Sequence, residues 1–75
     1  MEHIPVISGK EAVTAFEKTD WIVERRGGRN HFILGKEGVY HKLSVPDHKK
    51  LDRGLLRRLI RDSGLTVDEF REKLP

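Results

Sequence analysis

The stretch WIVERRGGRNHFILGKEGVYHKLSVP, Trp21–Pro46, decides the fold. Trp21-Ile22-Val23 is bulky and β-prone, and Glu24-Arg25-Arg26 carries it into the pair Gly27-Gly28. Paired glycines supply the positive φ angles of a tight hairpin, so a strand is expected to run into a turn there. His31-Phe32-Ile33-Leu34 reads as the return strand and Lys36-Glu37-Gly38 as a second turn. From Val39 to Val45 the residues alternate, with Val39, His41, Leu43 and Val45 on one face and Tyr40, Lys42 and Ser44 on the other. That alternation predicts a half-buried antiparallel strand, which Pro46 ends.

Helical signals flank this stretch. Ser8-Gly9-Lys10-Glu11 has the capping-box form, in which Ser8 caps the Glu11 amide and Glu11 reaches back. Ala12, Val13, Ala15 and Phe16 then set an apolar stripe at helical spacing, closed by Thr19-Asp20. After the polar loop Asp47-His48-Lys49-Lys50, a second helix is expected from Asp52 to Ser63. Leu55, Leu56, Leu59 and Ile60 form its core stripe, while Arg53, Arg57 and Arg61 stack at i, i+4 and i+8 on the other side. Gly64 stops it, and Thr66 with Glu69 opens a short last helix carrying Val67, Phe70 and Leu74. The order is helix, three-stranded antiparallel meander, helix, short helix, one α+β domain over residues 1–75. Both main helices are expected to bury their stripes on one sheet face and leave the other free. This α-β-β-β-α layout resembles the double-stranded-RNA-binding fold.

The composition bounds the chemistry. The chain has 75 residues, 36% hydrophobic and 36% charged, with no cysteine. Disulfides, thiolate metal sites and cysteine nucleophiles are thereby excluded. Such usage fits a reducing compartment, and a cytoplasmic location is the expectation. No apolar run exceeds three residues, as in Phe32-Ile33-Leu34, so neither a membrane span nor the apolar region of a signal peptide is expected. The net charge of +3 conceals a strong asymmetry. Residues 24–36 set Arg25, Arg26, Arg29 and Lys36 against Glu24, and residues 48–61 set Lys49, Lys50, Arg53, Arg57, Arg58 and Arg61 against Asp52. A basic centre between two acidic ends is the electrostatic footprint of a nucleic-acid or phosphate partner, although a solvated basic helix face has the same appearance.

Four histidines remain, His3, His31, His41 and His48. Their spacing matches no metal-ligand signature, so no metal site and no cofactor are expected. His3 belongs to a terminus that should be mobile, His41 to the apolar strand face, and His48 to the loop feeding the basic helix. His31 differs, because it opens the second strand after Gly27-Gly28-Arg29-Asn30 and has Arg25, Arg26 and Arg29 close in sequence. Surrounding cations favour the neutral imidazole that a general base requires, although an ordinary strand-end histidine has the same sequence setting.

At this point the residues resemble the HicA-type toxins of toxin–antitoxin pairs, small ribonucleases that cleave messenger RNA. The likeness runs from Ser8-Gly9-Lys10-Glu11 to Phe70. It is strongest over Leu43-Ser44-Val45-Pro46-Asp47-His48-Lys49-Lys50 and over Gly54-Leu55-Leu56-Arg57-Arg58-Leu59-Ile60-Arg61-Asp62-Ser63-Gly64-Leu65-Thr66. Those segments correspond to a family pattern of a strand ending in Val-Pro, a His/Lys loop, and a helix closing on Gly-Leu. The family's catalytic histidine lies in a Gly-Ser-His element, which this chain replaces by Gly27-Gly28-Arg29-Asn30-His31. Counting forward from Trp21 puts Asn30 at the catalytic position, and counting back from Lys36-Glu37-Gly38 puts His31 there. His31 is preferred, because a turn absorbs an extra residue whereas a slip within a strand reverses its faces.

The resemblance implies metal-independent cleavage of RNA, with His31 as general base toward a ribose 2′-OH. Arg29, Arg25 or Arg26 would then steady the charge on the reacting phosphate, Asn30 would contact the RNA, and Lys49, Lys50, Arg53, Arg57 and Arg61 would hold the backbone without reading sequence. It also implies a HicB-type antitoxin as protein partner. Two other readings stay open: a non-catalytic RNA-binding module of the same fold, and a protein-interaction module whose basic face meets an acidic partner.

Overall fold

A computed structural model describes residues 3–75. Its elements run α1 (Gly9–Glu17), β1 (Ile22–Gly27), β2 (His31–Gly35), β3 (Leu43–Pro46), α2 (Arg53–Ser63) and α3 (Val67–Glu72). The three strands form one antiparallel sheet in the order β1-β2-β3, so the expected α+β meander with flanking helices is present.

Local chemistry sets the helix ends as the sequence implies. Ser8 Oγ accepts the Glu11 amide at 3.1 Å, and the Glu11 carboxylate accepts the Ser8 amide at 2.9 Å. Asp52 caps α2 by accepting the Leu55 amide at 3.0 Å, and Gly64 ends that helix in the left-handed region at φ 85°. Ala12, Val13, Ala15 and Phe16 of α1 and Leu56, Leu59 and Ile60 of α2 are buried in one cluster with Trp21, Leu34, Leu43, Val45, Val67 and Phe70. The Phe16 and Phe70 rings meet at 5.0 Å between centroids, which ties α3 to α1 across the core.

Two expectations about the meander need correction. The third strand begins at Leu43, not Val39. Gly38, at φ 82°, turns the chain after β2, and His41 leaves the strand path to donate from Nε2 to the Asp62 carbonyl at the end of α2, 2.6 Å away. His41 is therefore exposed and does not share the buried face of Leu43 and Val45. The first turn also shifts by one residue. Gly27 stays in β1, paired with His31, and the turn is Gly28-Arg29-Asn30. Its positive φ angles belong to Gly28 (47°) and Asn30 (56°) rather than to two adjacent glycines.

The register assigns the faces. Phe32 pairs with Val45 and Leu34 with Leu43, and these four side chains face the helices. By alternation His31, Ile33 and Ser44 face the other way. In β1 the pairing skips Glu24, because Val23 opposes Leu34 while Arg25 opposes Ile33. This β-bulge resets the alternation, so Val23 turns to the core and Arg25 to the open face. The Glu24 carboxylate pairs with Lys42 at 2.9 Å above Gly35, where a side chain would collide with it.

The tightest approach in the fold joins α1 to the end of β3. A Cβ on Gly9 would meet the Pro46 carbonyl oxygen at 1.9 Å, a backbone atom with nothing flexible to move aside. Gly9→Ala is expected to lower stability by about 1–3 kcal/mol, the scale of overpacking, although alanine favours helices. Urea unfolding of the two proteins measures it. A pH effect is expected at α3. The Thr66 backbone amide donates to the Glu69 carboxylate at 2.8 Å and, with the Thr66 hydroxyl as the next contribution, holds that carboxyl below its ordinary value. A lowered carboxyl stabilises the fold above the ordinary value and loses that contribution as pH falls through the lowered one. Hydrogen-exchange protection at the start of α3 should drop over that acid range, and Glu69→Gln, which keeps the capping box, should abolish the dependence.

Candidate active site

His31 is the first residue of β2, in register with Gly27 of β1 and Pro46 of β3. It is half-buried on the open face of the sheet, and its Nδ1 lies 2.9 Å from Ser44 Oγ on the neighbouring strand. The Arg25 guanidinium shares that face and lies over Gly27, the residue paired with His31.

The expected cluster of three arginines around His31 is split. Arg26 opposes Phe32 on the helix side, where its guanidinium sits 4.3 Å from the ring centroid. It also pairs with the Asp47 carboxylate at 3.2 Å. That leaves Arg25 on the face of His31, with Arg29 exposed in the turn just before it. The bulge at Glu24 causes the division, since uninterrupted alternation would put Arg25 beside Val23 and Arg26 beside Ile22.

Asn30 is a turn residue rather than a strand residue. It holds φ 56°, a conformation that asparagine tolerates better than most residues with a side chain, and its carbonyl accepts the Asp47 amide at 2.7 Å. This bond joins the first turn to the loop after β3. The same loop is anchored twice more, by the Gly9 amide to the His48 carbonyl at 2.9 Å and by the Leu51 amide to the Ile7 carbonyl at 2.8 Å. Lys49 and Lys50 are exposed in this pinned loop, as is His48. His31, Ser44, Arg25, Arg29, Asn30 and the loop lysines thus gather at one end of the sheet.

Of the α2 cations, Arg53 borders the pinned loop and lines a surface groove with His48 and Lys50, while Arg57 and Arg61 lie further along the helix. Leu56, Leu59 and Ile60 pack α2 into the core, on the side of the sheet opposite His31. Arg53, Arg57 and Arg61 are exposed on the outer side of that helix. Arg57 and Arg61 flank a surface groove of about 370 Å³ that is floored by Ile60, Leu65 and Val67. Among the described residues, no group of three or more His, Cys, Asp or Glu side chains converges as a metal site. Nor does any described helix have the length and apolarity to cross a membrane.

Sequence reasoning passed over two residues here. Alternation puts Ser44 on the polar strand face, and only its register against β2 brings it to His31. Asp47 lies in a polar loop by sequence, and its pairing with Arg26 depends on long-range geometry.

The comparison with known proteins bears on the whole arrangement. A family model described as HicA toxin of bacterial toxin-antitoxin matches residues 9–65, well over half of the chain. No curated protein and no solved structure matches it.

The turn geometry predicts an asymmetry between two substitutions. Asn30→Gly should leave stability almost unchanged, whereas Asn30→Val should cost about 1–2 kcal/mol for a side chain forced to positive φ. Denaturant midpoints of the two variants provide the check.

Proposed function

The chain belongs to the HicA toxin family, and from that premise we propose that it is a ribonuclease in which His31 acts as general base. The observation that carries this reading is the seat of His31: a half-buried imidazole on an open sheet face, beside Arg25 and next to the cationic turn. Asn30, the rival in the sequence count, has no imidazole and serves as a left-handed turn residue bonded through its backbone to Asp47.

In this mechanism a neutral His31 takes the proton of a ribose 2′-OH through Nε2. The freed oxygen attacks the adjacent phosphorus, and the bond to the 5′-oxygen breaks, leaving a 2′,3′-cyclic phosphate and a 5′-hydroxyl. The leaving oxygen gains its proton from His48 or from solvent. Arg25 and Arg29 are placed to offset the charge that grows on the phosphoryl oxygens. Lys49 and Lys50 extend the positive surface along the pinned loop and hold the backbone without selecting bases. None of these steps requires a metal. Arg53 continues the surface of Lys50, and Arg57 and Arg61 extend it along the outer side of α2 as a further electrostatic surface for RNA.

Membership of a toxin–antitoxin family supports a protein partner as well, and we assign that role to a HicB-type antitoxin. An antitoxin that covered the open sheet face would occlude His31 and compete with RNA.

The test is incubation of single-stranded RNA with the protein in EDTA, beside His31→Ala and Asn30→Ala. The expected outcome is cleavage by the wild type and by Asn30→Ala, with a loss of at least about 100-fold in His31→Ala, the scale of a removed general base. Equal cleavage by folded His31→Ala would overturn the assignment. RNA binding without cleavage by the wild type would select the binding-module reading.

A further inference from the structure

We infer that Ser44 is the positioning residue for His31: its hydroxyl holds Nδ1 and so commits Nε2 to the substrate. The inference rests on the ribonuclease reading above and specifies how that site is set.

The contact spans two strands. His31 opposes Pro46, and Ser44 opposes Ile33, two residues further along β2 on the same face. His31 and Ser44 are therefore diagonal neighbours on adjacent strands, within reach of a long side chain to a short one. Their separation, 2.9 Å between Nδ1 and Oγ, is that of a hydrogen bond. It is the hydrogen bond of the His31 ring, and Nε2 has none among the described residues. The two ring nitrogens are thus unequal: one faces the protein and the other remains to reach a ligand.

A general base at Nε2 needs its lone pair there, which puts the proton of the neutral ring on Nδ1. Ser44 Oγ can accept that proton while its own hydroxyl hydrogen turns to solvent. After Nε2 has taken the 2′-OH proton, Nδ1–H still donates to Ser44, so the bond persists on both sides of the transfer. The hydroxyl serves the neutral and the charged ring alike, which a carboxylate would not, because a carboxylate favours the charged form. The protein environment here carries the opposite sign, with Arg25 on the same face. A neutral acceptor fixes the ring without adding negative charge to a surface that must meet phosphate. Ser44 is exposed, so replacing it leaves the core intact.

The contact can be tested with and without RNA. Two-bond ¹H–¹⁵N correlation spectra of the wild type, Ser44→Ala and Ser44→Thr report which His31 nitrogen carries the proton. The expected result is an Nδ1–H ring in the wild type and in Ser44→Thr, and a shift toward the Nε2–H form in Ser44→Ala. In the cleavage assay kcat should fall about tenfold in Ser44→Ala at constant KM, the lower end of the loss when a metal-bound histidine is deprived of its orienting partner, and Ser44→Thr should restore it. All three proteins should unfold at the same denaturant midpoint. An Nε2–H ring in the wild type, or the same tautomer in Ser44→Ala, overturns the inference, as does an unchanged kcat. An inactive wild type would count against the ribonuclease reading alone, because the tautomer measurement needs no RNA and would still decide the contact.

Discussion

The backbone of Gly9 touches the backbone of Pro46, and the rest of the site hangs on that contact. No side chain fits between them, since a Cβ would lie 1.9 Å from the Pro46 carbonyl oxygen. The approach lets the Gly9 amide reach the His48 carbonyl and the Leu51 amide reach Ile7, which fixes the loop that follows β3. From the other side the Asp47 amide bonds to Asn30. A loop held at three points by backbone bonds has little freedom left, although it carries His48, Lys49 and Lys50 and buries few side chains of its own. The helix cap at Ser8, the end of the sheet and the His31 turn are consequently one unit. Loosening α1 at its first residue would free the lysines from the histidine they accompany.

The same unit explains how a chain with as many charged as hydrophobic residues divides its surface. Apolar side chains go to one sheet face and to the helices above it, with Phe16, Trp21 and Phe70 as the largest fully buried groups. The opposite sheet face is left polar, carrying Arg25, Ser44, Lys42 and Glu24 around the half-buried Ile33 and His31. Cations therefore occupy two surfaces. One is the His31 end of the sheet, and the other is the outer side of α2, which Arg53 joins to the loop that carries Lys50.

Much of this was legible in the sequence because it is local. Ser8 with Glu11 and Thr66 with Glu69 are reciprocal pairs three residues apart, and Gly64 stops α2 by a conformation that glycine adopts cheaply. Family membership was legible for a different reason, since the segments around Pro46 and along α2 carry a long pattern rather than a short motif. What escaped depends on pairing. Alternation cannot reveal that Glu24 is an extra residue in β1, and that single bulge decides that Arg25 rather than Arg26 accompanies His31. Alternation also ran β3 back to Val39, because it cannot see His41 drawn off to the end of α2. The contact between Ser44 and His31 needed the β2–β3 register, which a chain read residue by residue does not contain.

The central claim is that the 2′-oxygen of RNA is the nucleophile and His31 its base. The most direct measurement maps one cleavage site in a single-stranded RNA and repeats the reaction with the 2′-OH at that one position replaced by hydrogen. The account predicts that cleavage disappears there and persists at other sites, because the attacking oxygen has been removed and nothing else has changed. Undiminished cleavage at the deoxy position would mean that water or another group attacks the phosphorus, and it would contradict the account.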